Sequence, residues 1–148
     1  WGMTVVSIEQ GYAGHAAQTM ALAAQCMGGA YFTKYIVVVD HDVDPSSLAD
    51  VVWAMVTRSR PSESIDILRE TWSTYLDPSL NPPEERPWGS KCLINACMEY
   101  KHIKDFSPRT KLSKASYEHV LSRWEEYGLD GPPPRIDVFE EADFKEKI

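Results

Sequence analysis

The hydrophobic pattern is most regular between residues 35 and 58. A continuous apolar run, Tyr35 to Val39, is followed at once by Asp40, His41 and Asp42. Such a run, rich in β-branched residues, is typical of a parallel strand buried on both faces. Apolar residues then recur at helical spacing, at Leu48, Val51, Val52, Met55 and Val56. The pattern predicts half of a βαβ unit, with the strand at residues 36–39 in the centre of the sheet.

Two further strands and one further helix are predicted around this unit. Residues 3–8 form the first strand, and an alanine-rich helix follows to about residue 27, where Gly28-Gly29 ends it. Residues 65–68 form a short third strand, and residues 91–96 resemble another. The order β-α-β-α-β indicates right-handed crossovers. The predicted fold is therefore α/β: a three-layer domain with a mostly parallel sheet built from βαβ units.

The pattern changes after the third strand. Residues 71–91 are rich in proline and aromatic residues and have no regular period, which is typical of a functional loop. A helix is predicted at residues 116–127, and an acidic tail covers residues 137–148. We therefore expect an α/β domain over residues 1–112 and a C-terminal helix with its tail over residues 113–148. The apolar face of that helix either docks onto another surface, which includes self-association, or covers its own domain.

Composition narrows the class of protein. The 148 residues carry a formal charge of −7, which argues against nucleic acid as a partner. The uncharged stretch from residue 10 to 33 has too little hydrophobicity to span a membrane. Three cysteines without a CxxC pair favour reduced thiols in a cytoplasmic protein. The start at Trp1, close to a strand, predicts a fragment of a longer protein.

Asp40, Asp42 and Asp44 alternate as the acids of a calcium loop do, but the required glycine and terminal acid are absent. His41 beside these carboxylates leaves a metal site open. The alternative, which the spacing favours, is that the acids lie at a helix N-terminus, where the helix dipole stabilises them.

A second candidate is the Gly11-x-x-Gly14 segment between a strand and a helix. Backbone amides there could bind a phosphate, but the adjacent Glu9 would repel it. A tight turn that needs glycine is the alternative. The residues alone give no catalytic assignment.

Several segments together resemble the UbiD-type decarboxylases that use prenylated FMN, over nearly the whole chain to about Phe106. The resemblance is to the C-terminal domain of that family, and most strongly to members that act on phenolic or heteroaromatic acids. It is carried by four segments in the same order as in the family: VVSIEQGYAGHA (5–16), VVDHDVDP (38–45), VWAMVTR (52–58) and TWSTYLDPS (71–79).

The resemblance implies a carboxy-lyase, reversibly decarboxylating an aromatic acid with prenylated FMN, a divalent metal (Mn or Mg) and potassium. In the family, the catalytic network and the metal ligands lie in an N-terminal flavin-binding domain, which is absent here. The resemblance therefore implies a domain that closes the active-site cleft and aids homo-oligomer formation. We expect no activity and no bound cofactor from this chain alone. An assembly or regulatory module of the same fold is the alternative.

The resemblance also implies roles for particular residues. Trp72, Thr74, Tyr75 and Leu76 match a stretch that faces the substrate, and an apolar lid of this kind would exclude water from the reacting carboxylate. The alternative for Trp72 is ordinary core packing. Glu9 lies where many members have a lysine that reaches towards the flavin phosphate, and a carboxylate cannot replace that lysine. The sequence does not identify the acid or the physiological direction of the reaction.

Overall fold

The computed structural model describes residues 2–80, 88–107, 109–136 and 138–139. Its contacts divide the chain into two compact units, Trp1–Phe106 and Ser107–Ile148. None of the described helices is long and apolar enough to cross a membrane. The first unit contains β1 (Gly2–Ile8), α1 (His15–Gln25), α2 (Met27–Phe32), β2 (Thr33–Asp40), α3 (Leu48–Arg58), α4 (Pro61–Ser64), β3 (Ile65–Trp72), β4 (Trp88–Ala96) and a 3₁₀ turn (Tyr100–His102).

The four strands of the first unit form one sheet in the order β1-β2-β4-β3. β2 is parallel to both of its neighbours: Val37 is paired with Val5 of β1 and with Ile94 of β4. The residues of β2 from Ile36 to Val39 are completely buried. This confirms the prediction that residues 36–39 form the central strand of an α/β sheet.

Helices cover both faces of the sheet, which confirms the three-layer architecture. On one face, Ala16, Met20 and Ala24 of α1 pack against Ile36 and Val38. On the other face, Val51 and Ala54 of α3 pack against Val37, Val39 and Ile94. The start of α3 is capped by Ser47, whose hydroxyl accepts a hydrogen bond from the Asp50 N–H at 3.3 Å.

The third predicted strand is longer than expected and runs in the opposite direction. β3 extends to Trp72 and is antiparallel to β4, with Ile65 paired with Ile94 and Trp72 with Trp88. The reason is the position of α3: its last residue, Arg58, is bound to Asp40 and Asp42 at the carboxyl end of β2. The chain therefore leaves α3 at the carboxyl edge of the sheet, and β3 has to run away from that edge.

The predicted end of the first helix is also wrong. α1 ends at Gln25, Cys26 is extended, and Gly28 and Gly29 lie inside α2 instead of ending α1. Gly29 has a packing role, since a Cβ atom there would lie 1.7 Å from the carbonyl oxygen of Ala23. The glycine thus permits α2 to fold back closely onto the end of α1.

The second unit contains β5 (Leu112–Ser113), α5 (Lys114–Ser122) and β6 (Val138–Phe139), with β5 parallel to β6. The predicted helix at residues 116–127 is shorter than expected, because turns replace it after Ser122. Within this unit, the Tyr117 hydroxyl donates to the Pro134 carbonyl at 2.7 Å, and the Trp124 indole N–H donates to the Gly131 carbonyl at 2.9 Å. Docking through this helix stays a prediction, and most of the acidic tail, residues 137 and 140–148, lies outside the described residues.

We predict that alanine changes the free energy of unfolding differently at the two adjacent glycines of α2. Gly29→Ala should lower the free energy of unfolding by about 1–3 kcal/mol, since the added methyl group overpacks a backbone contact. Gly28→Ala is the matched control, because no atom lies within 4 Å of its Cβ position. It should leave stability unchanged or raise it by up to about 1 kcal/mol, owing to the higher helix propensity of alanine. Urea denaturation followed by circular dichroism measures both, and equal effects would contradict the packing role.

Candidate functional site

The carboxyl edge of the sheet is organised by Asp40, the last residue of β2. Its side chain is 1% exposed. One carboxylate oxygen accepts a hydrogen bond from the Gln10 amide at 2.7 Å, and the other accepts from the Met98 N–H at 2.7 Å and from Arg58 at 3.1 Å. Gln10 also donates to the Met98 carbonyl at 2.9 Å. A single buried carboxylate therefore joins the segments that follow β1 and β4 to the end of α3.

Arg58 provides the positive charge of this network. Its guanidinium group is 3% exposed, and it binds Asp42 through two hydrogen bonds of 2.8 and 2.6 Å. This two-point geometry is the strongest form of an arginine–carboxylate pair. The guanidinium also lies 5.0 Å from the ring centre of Trp53 and 5.9 Å from that of Phe106. Arg58 is thus held by charge, by hydrogen bonds and by aromatic contacts.

The network changes the acidity of two neighbouring groups. The hydrogen bonds from Arg58 hold the pKa of Asp42 below its usual value of 3.8, against the opposing effect of burial. Burial raises the pKa of the Cys97 thiol, and the nearby Asp40 carboxylate raises it further. Cys97 is therefore a protonated, buried thiol and not a nucleophile at neutral pH.

The loop between β1 and α1 lies beside this network. The Gly11 N–H donates to His15 Nδ1 at 3.2 Å, and the Tyr100 hydroxyl donates to the Gly11 carbonyl at 3.2 Å. Gly14, at the start of α1, has a φ of 93°, which favours glycine. These contacts support the interpretation of the Gly11-x-x-Gly14 segment as a tight turn.

The loop does not fit the phosphate of a flavin. Glu9 follows β1 directly and is exposed, so it presents a negative charge at the entrance to α1. Two cations of the neighbouring segments are already paired, since Lys101 is bound to Glu99 and Arg58 to the aspartates. A phosphate group here would meet repulsion from Glu9. The assignment of Glu9 to a cofactor site stays a prediction that the local chemistry does not favour.

The other predicted site residues lie at the end of β3, where Trp72 is its last residue, and in the turn that follows it. Trp72, Tyr75 and Leu76 are 49%, 58% and 66% exposed. Thr74 is different, because it is 1% exposed and its hydroxyl oxygen accepts the Leu76 N–H at 3.2 Å. Thr74 thus shapes the turn that leaves Tyr75 and Leu76 exposed to solvent.

A buried acid anchors this turn to the sheet. Asp77 has a side-chain exposure of 3% and binds Lys34 of β2 at 3.0 Å. It also accepts hydrogen bonds from the Ser79 N–H and hydroxyl, at 2.9 and 2.8 Å. Burial opposes ionisation, but these hydrogen bonds outweigh it and lower the pKa of Asp77. The exposed side chains of Trp72, Tyr75 and Leu76 are therefore followed directly by a rigid attachment point. Residues 81–87 of the predicted loop lie outside the described residues.

The structure places Glu9 and Trp72 at opposite ends of the strands: Glu9 lies at the carboxyl ends of the parallel strands and Trp72 at their amino ends. Trp72 is paired with Trp88 at the start of β4, whereas Glu9 follows Ile8, which is paired with Asp40 beyond the end of β4. Along the strand direction, Glu9 and Trp72 are therefore separated by about the length of β4, which is roughly 25 Å at about 3.3 Å per residue. A single small ligand on the first unit cannot contact both residues.

The possibility of a metal site at Asp40, His41 and Asp42 finds no support: within the described ranges, no group of His, Cys, Asp or Glu is arranged to hold a metal ion. The alternative, in which the three acids lie at the N-terminus of a helix, was also incomplete. Asp44 accepts from the Ser46 N–H near the start of α3, but Asp40 and Asp42 bind the arginine at its end. Sequence reasoning missed Gln10, Arg58 and Met98 as partners of Asp40, since they are 18–58 residues away from it.

Comparison with known proteins identifies the family. The model of the 3-octaprenyl-4-hydroxybenzoate carboxy-lyase C-terminal domain, UbiD_C, matches residues 1–96. The chain belongs to the UbiD family, as its C-terminal domain. An uncharacterised protein of Aeropyrum pernix is 32% identical over 132 residues, which are 87% of this chain and 26% of that protein. The match confirms the family that the sequence motifs indicated.

Solved structures of UbiD-class enzymes have the same fold. Vanillic acid decarboxylase of Sedimentibacter hydroxybenzoicus, in its closed form, is 26% identical with a TM-score of 0.61, over 97% of this chain and 25% of that chain. The UbiD-class enzyme HmfF of Pelotomaculum thermopropionicum, in complex with FMN, is 24% identical with a TM-score of 0.64, over 74% and 23%. This UbiD domain thus spans about a quarter of the length of the relatives that it matches.

We predict that Arg58 is essential for the stability of this UbiD domain. Arg58→Met leaves two carboxylates without their cation, one of them fully buried, and should lower the free energy of unfolding by about 3–5 kcal/mol. Arg60→Met is the control, because Arg60 and its partner Glu63 are 69% and 66% exposed. It should change stability by less than about 0.5 kcal/mol. Similar losses in the two variants, measured by urea denaturation, would refute the role of the network.

We also predict a loss of stability in acid that depends on Asp42. Because its pKa is lower in the folded state, Asp42 contributes stability above its ordinary pKa of 3.8, and that contribution is lost as the pH falls through the folded value. Urea midpoints measured from neutral pH into this range should fall more steeply for the wild type than for Asp42→Asn. Parallel curves for the two proteins would contradict the prediction.

Proposed function

We propose that this chain is the substrate-covering domain of a UbiD-type decarboxylase that acts on a phenolic or heteroaromatic acid with prenylated FMN. The observation that carries the proposal is the exposed apolar segment Trp72, Tyr75 and Leu76, anchored by Asp77 to Lys34. Apolar side chains held on a rigid base are suited to cover a reacting carboxylate and exclude water from it. The similarity to a vanillic acid decarboxylase over 97% of the chain supports the choice of substrate class.

In this proposal the flavin, a divalent metal (Mn or Mg) and potassium are bound by an N-terminal domain, and this domain supplies apolar side chains. That division agrees with the chemistry of Glu9, which does not suit a phosphate. The C-terminal unit, residues 107–148, is proposed to support homo-oligomer formation. The cytoplasm is the expected location.

A second candidate is an assembly or regulatory module of the same fold. The exposed Glu9 at the entrance to α1 favours it, because a carboxylate replaces the lysine that the family resemblance places there. In that case the exposed side chains of Trp72, Tyr75 and Leu76 (the Trp72 segment) contact a partner protein and not a substrate. Turnover by the longer protein distinguishes the two candidates.

We predict that Leu76 is required for turnover. In the longer enzyme, loaded with its cofactor, Leu76→Ala should lower kcat/KM for the aromatic acid roughly tenfold, because the loss of apolar enclosure weakens transition-state stabilisation by one to two kcal/mol. Vanillate and 3,4-dihydroxybenzoate are suitable first substrates, with decarboxylation followed by chromatography. Leu48→Ala is the matched control: Leu48 is 68% exposed, close to the 66% of Leu76, but lies on α3.

Leu48→Ala should leave kcat/KM unchanged. Equal activity of the wild type and of both variants would show that the Trp72 segment does not cover the substrate. Absence of decarboxylation by the wild-type holoenzyme across a panel of phenolic and heteroaromatic acids would favour the assembly module.

A further inference from the structure

Lys91 of β4 is a buried cation whose contacts are with backbone carbonyl groups. The residue is 3% exposed, and its ammonium group donates to the carbonyl oxygens of Gly29 at 3.1 Å and Thr33 at 2.6 Å. An ammonium group carries three protons, and these two contacts use two of them. Among the residues that the structure describes, no acid forms an ion pair with Lys91. Burial lowers its pKa, as expected for a charge that lacks an opposite charge.

Lys91 forms part of the wall of a cleft of about 330 Å³ between α1, α2 and β3. This volume is at the lower end of the range for small-molecule sites, about 300–1,000 Å³, and suits a ligand with one ring. Ala30 and Leu68 supply apolar surface, and Gln25 supplies an amide that can donate a hydrogen bond. Among the described lining residues, Lys91 is the only one with a formal charge.

Trp72 forms the aromatic side of the cleft. Its ring centre lies 4.8 Å from that of Tyr31, at an angle of 48°, and the residue is still 49% exposed. Tyr31 lies between Gly29 and Thr33, whose carbonyl groups bind Lys91. The lysine and the aromatic pair are therefore held by the same short segment of chain. A planar ring is the kind of ligand that packs well against an exposed indole.

We propose that this cleft binds a monocyclic aromatic carboxylate, with the carboxylate group paired with Lys91 and the ring packed against Trp72. The ligand supplies the negative charge that Lys91 lacks and covers the exposed side of the indole. The proposal rests on the cleft of this chain and not on the proposed decarboxylase function. The two share Trp72 but are tested separately, since binding is measured on the 148-residue chain and turnover on the longer enzyme.

The first test compares ligands on the wild-type chain by isothermal titration calorimetry. Benzoate should bind at one site per chain. Benzamide, which has the same ring without the charge, should bind at least about tenfold more weakly, because a charged hydrogen bond to a buried group is lost. Inorganic phosphate should also bind more weakly than benzoate. Equal binding of benzoate and benzamide, phosphate binding as tight as that of benzoate, or no saturable binding of benzoate at millimolar concentration would each overturn the proposal.

The second test uses variants of the same chain, with circular dichroism to establish folding. Lys91→Met keeps the length of the side chain and should abolish the preference for benzoate over benzamide. Trp72→Ala, at a half-exposed position, should weaken benzoate binding at least about fivefold, through loss of aromatic contact area. Lys101→Met is the control, because Lys101 is a cation of the same unit that already has an acid partner, Glu99, and it lies beyond the carboxyl end of β4, away from the cleft.

Lys101→Met should bind benzoate as the wild type does. If Lys91→Met does not fold, Trp72→Ala and the comparison of benzoate with benzamide decide whether the cleft binds the aromatic carboxylate. Unchanged benzoate affinity in a folded Trp72→Ala or Lys91→Met chain would place the ligand elsewhere and overturn the assignment.

Discussion

The first unit depends on a single constraint, the burial of the Asp40 carboxylate. An ionised carboxylate that leaves water loses several kcal/mol of hydration, which its new partners have to replace. Asp40 receives that replacement from Gln10, Arg58 and Met98, which lie in three separate segments of the chain. These segments have to converge on the end of β2, or the charge is left uncompensated. The acid therefore specifies where the loops after β1 and β4 and the end of α3 are placed.

The direction of β3 follows from this constraint. With Arg58 at the carboxyl edge, the short helix α4 leads directly into a strand that starts at the same edge and pairs antiparallel with β4. β3 is then an edge strand, and most of its residues are exposed, including Ile67 at 47%. An ion pair on one side of the sheet thus determines that Trp72 emerges at the opposite, amino edge. The position of the candidate substrate-covering segment is a consequence of the Asp40 network.

Features set by neighbouring residues could be predicted from the sequence. The apolar run at residues 36–39 identified the central strand, and the apolar spacing that begins at Leu48 identified α3. The apolar spacing predicted the helix α3 correctly but not its buried face, since Val51 and Ala54 are buried while Val52 and Val56 are exposed. Features set by distant contacts were missed. The Gly28-Gly29 pair is typical of the end of a helix, and only the close approach of Gly29 to the backbone of Ala23 shows that this glycine is needed for packing. For the same reason the motifs identified the family but not the partners of Asp40 or the burial of Lys91.

Asp40 and Lys91, two of the buried charges of the first unit, have different partners, and this difference separates a structural group from a proposed recognition group. Asp40 is matched by Arg58 and by neutral donors, so a ligand has nothing to add there. Lys91 is matched by carbonyl dipoles, which stabilise a cation without neutralising it. Ligands of open parallel α/β sheets usually bind outside the carboxyl ends of the strands. Here the carboxyl edge is filled by an internal ion pair, while the antiparallel β3 brings Trp72 to Lys91 at the amino edge. On this reasoning, the proposed ligand of this domain binds at the amino ends of the strands.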